Sequence, residues 1–285
     1  MSSLQRVEIQ PLIDVALVED IGTGDITSDW TVPEQKMASA RFVAKSIGVV
    51  AGLSVAEWVF DTVDPQTTFE LGLSDGDVVR PGDLIATVSG PARALLTGER
   101  TALNFIQRMS GVATLTSRFV RQIQHTEATI LDTRKTIPGW RRLDKYAVSV
   151  GGGRNHRYGL FDMVLIKENH IEAADGIGPA VTRVRSHLNE NSGDVKIEVE
   201  VKNLVELEEV MMAAVDWVML DNMDVDEMSE AVRTVKNQGG GPLLEASGNV
   251  SLTSVKEIAE TGVDYISVGS LTHSAIALDI SMLFE

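Results

Sequence analysis

Eight lysines and arginines stand between Asp132 and His170: Arg134, Lys135, Arg141, Arg142, Lys145, Arg154, Arg157 and Lys167. Four acids offset them (Asp132, Asp144, Asp162 and Glu168), and His156 and His170 lie in the same stretch. The whole chain has a formal net charge of -16. A cationic block in so acidic a protein implies a pocket that gathers several anionic groups at once. Arginine presents paired planar donors to a carboxylate or phosphate, whereas lysine acts as a compact point charge. Gly151-Gly152-Gly153 leads into Arg154, Asn155, His156 and Arg157. Such a turn either lets the backbone lie close to a ligand or is a plain loop.

Carboxylates form a second set. Glu198 and Glu200 are two residues apart and share a strand face. Both pointing into a packed interior would be costly without partners. Glu200, nearer the end of its strand, can reach the open mouth, and a buried salt bridge explains Glu198 equally well. Asp221 ends the next strand. Carboxylates at two strand ends suit Mg²⁺ held together with substrate oxygens, or the hydroxyls of a ribose. Ser247-Gly248-Asn249 and Gly269-Ser270 each sit between a strand and a helix, where exposed backbone N–H groups bind phosphate. Arg100 opens a long helical pattern, a position where a cation opposes the helix dipole. It either pairs with Glu99 or Asp25 or reaches into an anionic site. Helix capping and Asx turns account for 20–27, which carry no catalytic role.

These residues need a frame. From residue 128 onward, short apolar runs end in polar residues and alternate with helical segments. The strands are 128–131, 163–166, 195–201, 217–220, 243–246 and 263–268. Such alternation implies a parallel sheet, and its repetition an α/β barrel of six strands rather than eight. The polar residues then collect at the strand C-terminal ends, where barrel enzymes build their sites. Residues 1–110 read as a separate α+β domain. It has a helix over 6–20, strands within 38–50, a short helix over 54–63 and a hairpin region ending at Val88. A helical pattern runs from 98 to 122, with a kink expected at Gly111. The text GDVVRPGDLIATVSG looks like a biotinyl or lipoyl carrier hairpin without its attachment lysine, which makes that likeness structural.

Composition removes several functions. The chain has 285 residues and no cysteine, which excludes disulfides, thiol nucleophiles and Cys-ligated zinc. A sequence pI near 4.7 argues against nonspecific nucleic-acid binding. The N-terminal residues lack the apolar core of a signal peptide, and no window resembles a membrane span. A cytoplasmic protein without membrane partners is expected.

The segments GERTALNFIQRMSGVAT, LDTRKTIPGWRRLDKYAVSVGGGRNHRYGLFDMVLIKENHI, IEVEV, VMLDN, EASGNV and VGSLTHSA closely resemble the quinolinate phosphoribosyltransferase family, also called nicotinate-nucleotide pyrophosphorylase (carboxylating). The resemblance runs from about residue 10 to the C-terminus. It implies an N-terminal α/β sandwich (1–110, completed by the tail 274–285) and an incomplete α/β barrel (111–273). It implies Mg²⁺, the substrates quinolinate and phosphoribosyl pyrophosphate, and a homodimer with shared active sites. The products would be nicotinate mononucleotide, pyrophosphate and CO₂. Arg100 would then come from the neighbouring subunit. Thr133, Arg134, Lys135, His156, Arg157 and Lys167 would line the anion pocket, and Glu200 and Asp221 would approach ribose and metal. Ser247, Gly248, Asn249, Val268, Gly269 and Ser270 would hold the 5'-phosphate. Lys135, Lys167, Glu200 and Asp221 are the expected catalytic groups. Many relatives carry Gly-Gly where this chain has Gly248-Asn249. Two rivals stay open from the residues alone: a barrel aldolase using Lys167 as a Schiff base, and a sugar-phosphate or nucleotide sensor without turnover.

Overall fold

A computed structural model describes residues 4–191, 195–213 and 215–285. The chain divides into two compact units. The first comprises 1–117, 136–152 and 271–285, and the second 118–135 and 153–270.

The chain starts with helices α1 (Arg6–Ile21) and α2 (Ile26–Thr31). Strands β1 (Met37–Ala44) and β2 (Gly48–Val49) precede helix α3 (Leu53–Val63). Strands β3 (Thr68–Leu71), β4 (Val78–Val79) and β5 (Leu84–Pro91) then lead into the long helix α4 (Ala92–Ile123). Asp25 starts α2 by accepting the Ser28 backbone N–H at 3.0 Å, which satisfies an otherwise orphaned donor. Helix α3 buries Val55, Ala56, Val59 and Phe60, spacing that makes one apolar stripe. Phe60 meets Phe42 of β1 edge-on at 6.0 Å and stacks on Phe69 of β3 at 6.1 Å, so aromatic contacts fix the helix on the sheet.

Strand β6 (Thr129–Leu131) and helix α5 (Arg141–Val150) follow. Next come β7 (Val164–Ile166), α6 (Glu168–Ala173), α7 (Ile177–Asn191), β8 (Ile197–Val201) and α8 (Leu204–Met212). Then β9 (Trp217–Asp221), α9 (Val225–Asn237), β10 (Leu243–Ser247), α10 (Val255–Glu260) and β11 (Tyr265–Ser267) continue the alternation. Helix α11 (Ser270–His273) and strand β12 (Ile280–Phe284) complete the order.

The first unit contains an antiparallel sheet of order β12-β1-β5-β3 and a small β2-β4 pair. Phe284 lies opposite Ala40, so the chain returns to its first sheet after more than two hundred residues. The second unit is a six-stranded parallel sheet of order β6-β11-β10-β9-β8-β7. Its outer strands, β6 and β7, are consecutive in the chain, as in a barrel left incomplete. At the β6 edge, Arg154 forms an isolated parallel bridge to Leu131. Ile197, Val199, Val201, Val218, Leu220, Leu244, Ala246 and Ile266 are buried on the central strands, the apolar content expected of strands covered on both faces. Among the described residues no helix is long and apolar enough to cross a membrane.

Three expectations change. Helix α4 begins at Ala92, so Arg100 lies two turns inside it and the clash with a helix N-terminus disappears. The helix also runs through Gly111 without interruption. A Cβ there would sit 2.2 Å from the Ile276 carbonyl oxygen, so that glycine lets the returning chain pass close by and does not mark a break. The cationic block is split: Arg141, Arg142 and Lys145 lie on α5, in the first unit. There Arg142 pairs with Glu8, and Arg141 donates to Thr136 Oγ1 at 3.1 Å.

Candidate functional site

The second unit gathers its chemistry at the C-terminal ends of its strands. Thr133, Arg134 and Lys135 follow β6, and Lys167 follows β7. Glu200 lies next to the end of β8, Asp221 ends β9 and Ser247 ends β10. Val268, Gly269 and Ser270 follow β11. Parallel pairing in register sets this up: Ser247 lies opposite Asp221, and Val201 opposite Leu220. Side chains distant in sequence therefore share one rim. Arg100 belongs to the first unit, where it is exposed.

Lys167 and Glu200 are paired, with side-chain exposures of 44% and 12%. The Lys167 backbone N–H donates to His170 Nδ1 at 3.0 Å, which fixes the start of α6. A cavity of about 180 Å³ beside Glu200 is lined by Glu168, Ile171, Glu172, Glu200, Lys202 and Glu206. Four acids and one cation make it a poor seat for phosphate. Asp221 Oδ2 accepts from Asn222 Nδ2 at 2.9 Å.

The loop after Gly153 is ordered by Asp132, a fully buried acid. Its carboxylate accepts Asn155 Nδ2 at 2.7 Å and the His156 backbone N–H at 2.8 Å. Arg157 Nη1 donates to the Met163 carbonyl at 3.2 Å. Burial and the neighbouring positive charge of Arg134 lower the pKa of Arg157, against the opposing pull of Glu198 and Asp162. Two guanidinium groups close enough to repel each other are suited to receiving an anion.

His156 behaves differently from the expectation that it lines the pocket. Its side chain is 6% exposed. Nε2 lies 2.9 Å from Glu198 Oε2 and 3.2 Å from Glu245 Oε2, and Nδ1 accepts the Arg157 backbone N–H at 2.7 Å. Both ring nitrogens are engaged inside the protein, so the ring offers a ligand no donor here. Glu198 takes the buried alternative, and Glu245 was missed by the sequence reading. Its signal was an acid in the middle of a short apolar strand, Leu243–Ser247.

Residues 247–249 form a tight turn with a partner that the sequence did not suggest. Gly248 has φ +101°, and a Cβ there would lie 2.2 Å from Asn222 Oδ1. Asn222 and Asn249 also take positive φ, 55° and 48°. Asn249 Nδ2 donates to Asn222 Oδ1 at 3.1 Å, and Asn222 N–H donates to the Ser247 carbonyl at 2.9 Å. The β9 and β10 turns thus support each other. Helix α10 begins only at Val255, so the 247–249 turn is shaped by Asn222 and not by an adjoining helix. Ser270, by contrast, opens α11 directly.

Glu200 and Asp221 supply carboxylate oxygens from neighbouring strands, a donor set that fits a hard divalent cation such as Mg²⁺.

Comparison with known proteins gives one answer along the chain. The family described as quinolinate phosphoribosyl transferase, N-terminal domain, matches residues 25–110, and its C-terminal domain matches 112–283. The chain is 45% identical to "Quinolinate phosphoribosyltransferase [decarboxylating] 1b" of Nicotiana tabacum, over 98% of this chain and 83% of that protein. It is similar to the solved nicotinate-nucleotide pyrophosphorylase of Francisella tularensis, with a TM-score of 0.94 and 40% identity over 99% of this chain and 98% of that one. NadC from Streptococcus pyogenes gives a TM-score of 0.93 at 37% identity, with the same coverage of both chains.

Proposed function

The chain belongs to the quinolinate phosphoribosyltransferase family, and from that premise we propose that it transfers the phosphoribosyl group of phosphoribosyl pyrophosphate to quinolinate with loss of CO₂. The products are nicotinate mononucleotide and pyrophosphate, which places the reaction in NAD biosynthesis. The observation that supports this reading is a cluster of cations: Arg134 after β6 and Lys167 after β7, with Arg157 close enough to Arg134 to feel its charge. Quinolinate is a dianion and the sugar donor carries a phosphate and a pyrophosphate, so the two repel each other in water. Arginines that repel each other without a ligand are relieved by a dicarboxylate. Holding the pyridine nitrogen against the anomeric carbon in this way can contribute on the order of 7–11 kcal/mol.

Arg134, Arg157 and Lys167 hold the two carboxylates. Thr133 and Lys135 meet the pyrophosphate, whose departure Lys135 assists by neutralising charge. Ser247, Gly248, Asn249, Val268, Gly269 and Ser270 take the 5'-phosphate, largely through backbone N–H groups. As pyrophosphate leaves, the sugar gains oxocarbenium character, which the Glu200 and Asp221 carboxylates stabilise. Glu200 and Asp221 would hold Mg²⁺, which when bound would supply charge neutralisation for the pyrophosphate. The nitrogen lone pair forms the new glycosidic bond, and the resulting pyridinium accepts the electron pair released as CO₂ departs. Lys167 or water then protonates the ring carbon. The protein works as a cytoplasmic homodimer, in which Arg100 reaches the partner's site.

An assay for CO₂ and nicotinate mononucleotide from the two substrates tests the activity. Nicotinate, which lacks the second carboxylate, should be a poor substrate; equal turnover of nicotinate would overturn the dicarboxylate reading. Arg100→Ala and Lys167→Ala should each be nearly inactive alone. Mixed under subunit exchange they should recover part of the activity, and no recovery despite demonstrated exchange rules out sharing of the site.

A further inference from the structure

We propose that Asn222 is a positioning residue that ties the turn at 247–249 to the Asp221 carboxylate and so holds two substrate receptors at a fixed separation. Asn222 is engaged at three atoms, each by a different neighbour. Its backbone N–H donates to the Ser247 carbonyl at 2.9 Å. Its side-chain Oδ1 accepts from Asn249 Nδ2 at 3.1 Å, and its Nδ2 donates to Asp221 Oδ2 at 2.9 Å. These partners decide which way round the amide lies. Turned over, it would set two NH₂ groups against each other on one side and a carbonyl against a carboxylate on the other. One planar group therefore spans from the β10 turn to the end of β9.

The backbone is shaped for this span. Asn222 and Asn249 both take positive φ, 55° and 48°, a conformation that asparagine tolerates better than most residues. Gly248, at φ +101°, leaves the space that the amide fills. A Cβ on it would lie 2.6 Å from Asn222 Cγ and 3.0 Å from the Asn222 backbone nitrogen. The base beneath is firm. Met223 is buried, and Asp224 caps α9 by accepting the Glu227 N–H at 2.8 Å. Across the sheet, Ser247 lies opposite Asp221 in register. The two side-chain bonds are themselves exposed. Water can take over from either partner, so little stability depends on them. What they fix is position.

Position matters here because of the chemistry of the ligand, a consequence that rests on the proposed function. The 5'-phosphate and the ribose hydroxyls belong to one sugar, so covalent bonds set their separation. Two receptors must match that distance at once. In the proposed reaction the 247–249 turn takes the phosphate and Asp221 meets the ribose. A relative shift of about 1 Å can cost about 10²-fold in rate. Asn222 acts on both receptors without touching the reacting atoms. It orients the Asp221 carboxylate through Oδ2, and it braces the turn through Asn249 and Ser247. The tie itself belongs to the resting protein and does not depend on which sugar phosphate binds.

Two experiments on the full-length protein test the tie and its role. The first is NMR of the unliganded protein with labelled aspartate carboxyl carbons. Asn249→Gly removes the outer bond and should shift the Asp221 carboxyl resonance through Asn222. Asn222→Gly removes the amide and keeps the positive φ without strain; adding Asn249→Gly to it should leave that resonance in place. A resonance that ignores Asn249→Gly in the parent chain, or still answers to it without the Asn222 amide, overturns the tie. The second is steady-state kinetics. Asn222→Gly should raise KM for phosphoribosyl pyrophosphate about tenfold and lower kcat about threefold. KM for quinolinate should stay within about twofold, and Tm should be nearly unchanged. An unchanged KM for phosphoribosyl pyrophosphate, or equal losses for both substrates, overturns the positioning role. If Asn222→Gly does not fold, Asn249→Gly carries both measurements, with the same selectivity for the sugar donor. Failure of the parent chain to turn over the two substrates would count against the proposed function and leave the NMR result to decide the tie.

Discussion

Glu198 and Glu200 lie on one face of one strand, two residues apart, yet they inhabit different chemistry. Glu200 sits at the rim beside a lysine that is nearly half exposed. Glu198 is sealed below, with an imidazole and a second carboxyl group as its company. Water can replace a lost partner at the rim and cannot do so in the interior. About one pleat of depth therefore separates a group that can exchange partners with a substrate from one that must find its partners within the protein.

Substitutions at the two depths should separate function from stability. Lys167→Ala should lower kcat/KM by about 10²–10³-fold with the melting temperature nearly unchanged, because solvent takes over at Glu200. A fall of many degrees in Tm would make Lys167 a structural residue. Glu198→Ala should reverse the pattern: a cavity plus an unsatisfied buried donor costs about 3 kcal/mol of stability, read as a shift in the denaturant midpoint. Gly248→Ala tests the rim turn, where positive φ and the contact with Asn222 Oδ1 oppose a side chain. About 1–3 kcal/mol of strain should appear as a raised KM for phosphoribosyl pyrophosphate. Asp25→Ala, at the α2 cap, should cost about 1 kcal/mol and leave catalysis unaltered.

The pH dependence of stability should also differ by depth. Glu198 is pushed up to about 7, above the carboxyl value near 4.3 of an unfolded chain. Between those values the folded state binds more protons, so this group's contribution declines as pH rises from about 4 to about 7. Asp25 is lowered by its bonds to Ser28. Its contribution is present above the unfolded value near 3.9 and is lost as pH falls through the folded one. Stability curves of Glu198→Gln and Asp25→Asn against the parent chain should therefore diverge at opposite ends of the pH range.

Much of this was legible in the sequence because strands end abruptly in polar residues. The runs before Lys167, Asp221 and Ser247 announced both a strand and its open end. Less could be read where one residue type serves two purposes. Arg141 and Arg142 look like Arg134 and Arg157 in a linear count of charge, but α5 carries them into the other unit. Gly111 resembles a helix breaker until the returning segment at Ile276 supplies the reason for it. His156 reads as a ligand-facing cation, and only Glu245, some ninety residues away, shows that it faces inward. Depth within a layer and pairing between distant strands depend on the whole topology, which local periodicity does not contain.

Strand β1 lies between β5 and β12. On a ribosome, β5 follows promptly, whereas β12 emerges only after the entire second unit has been made. For that interval β1 presents an open hydrogen-bonding edge, the kind of edge through which nascent chains stick to one another. The late return of 280–284 therefore acts as a closing stitch, and the yield of native protein in a cell should depend on how quickly that stitch is made.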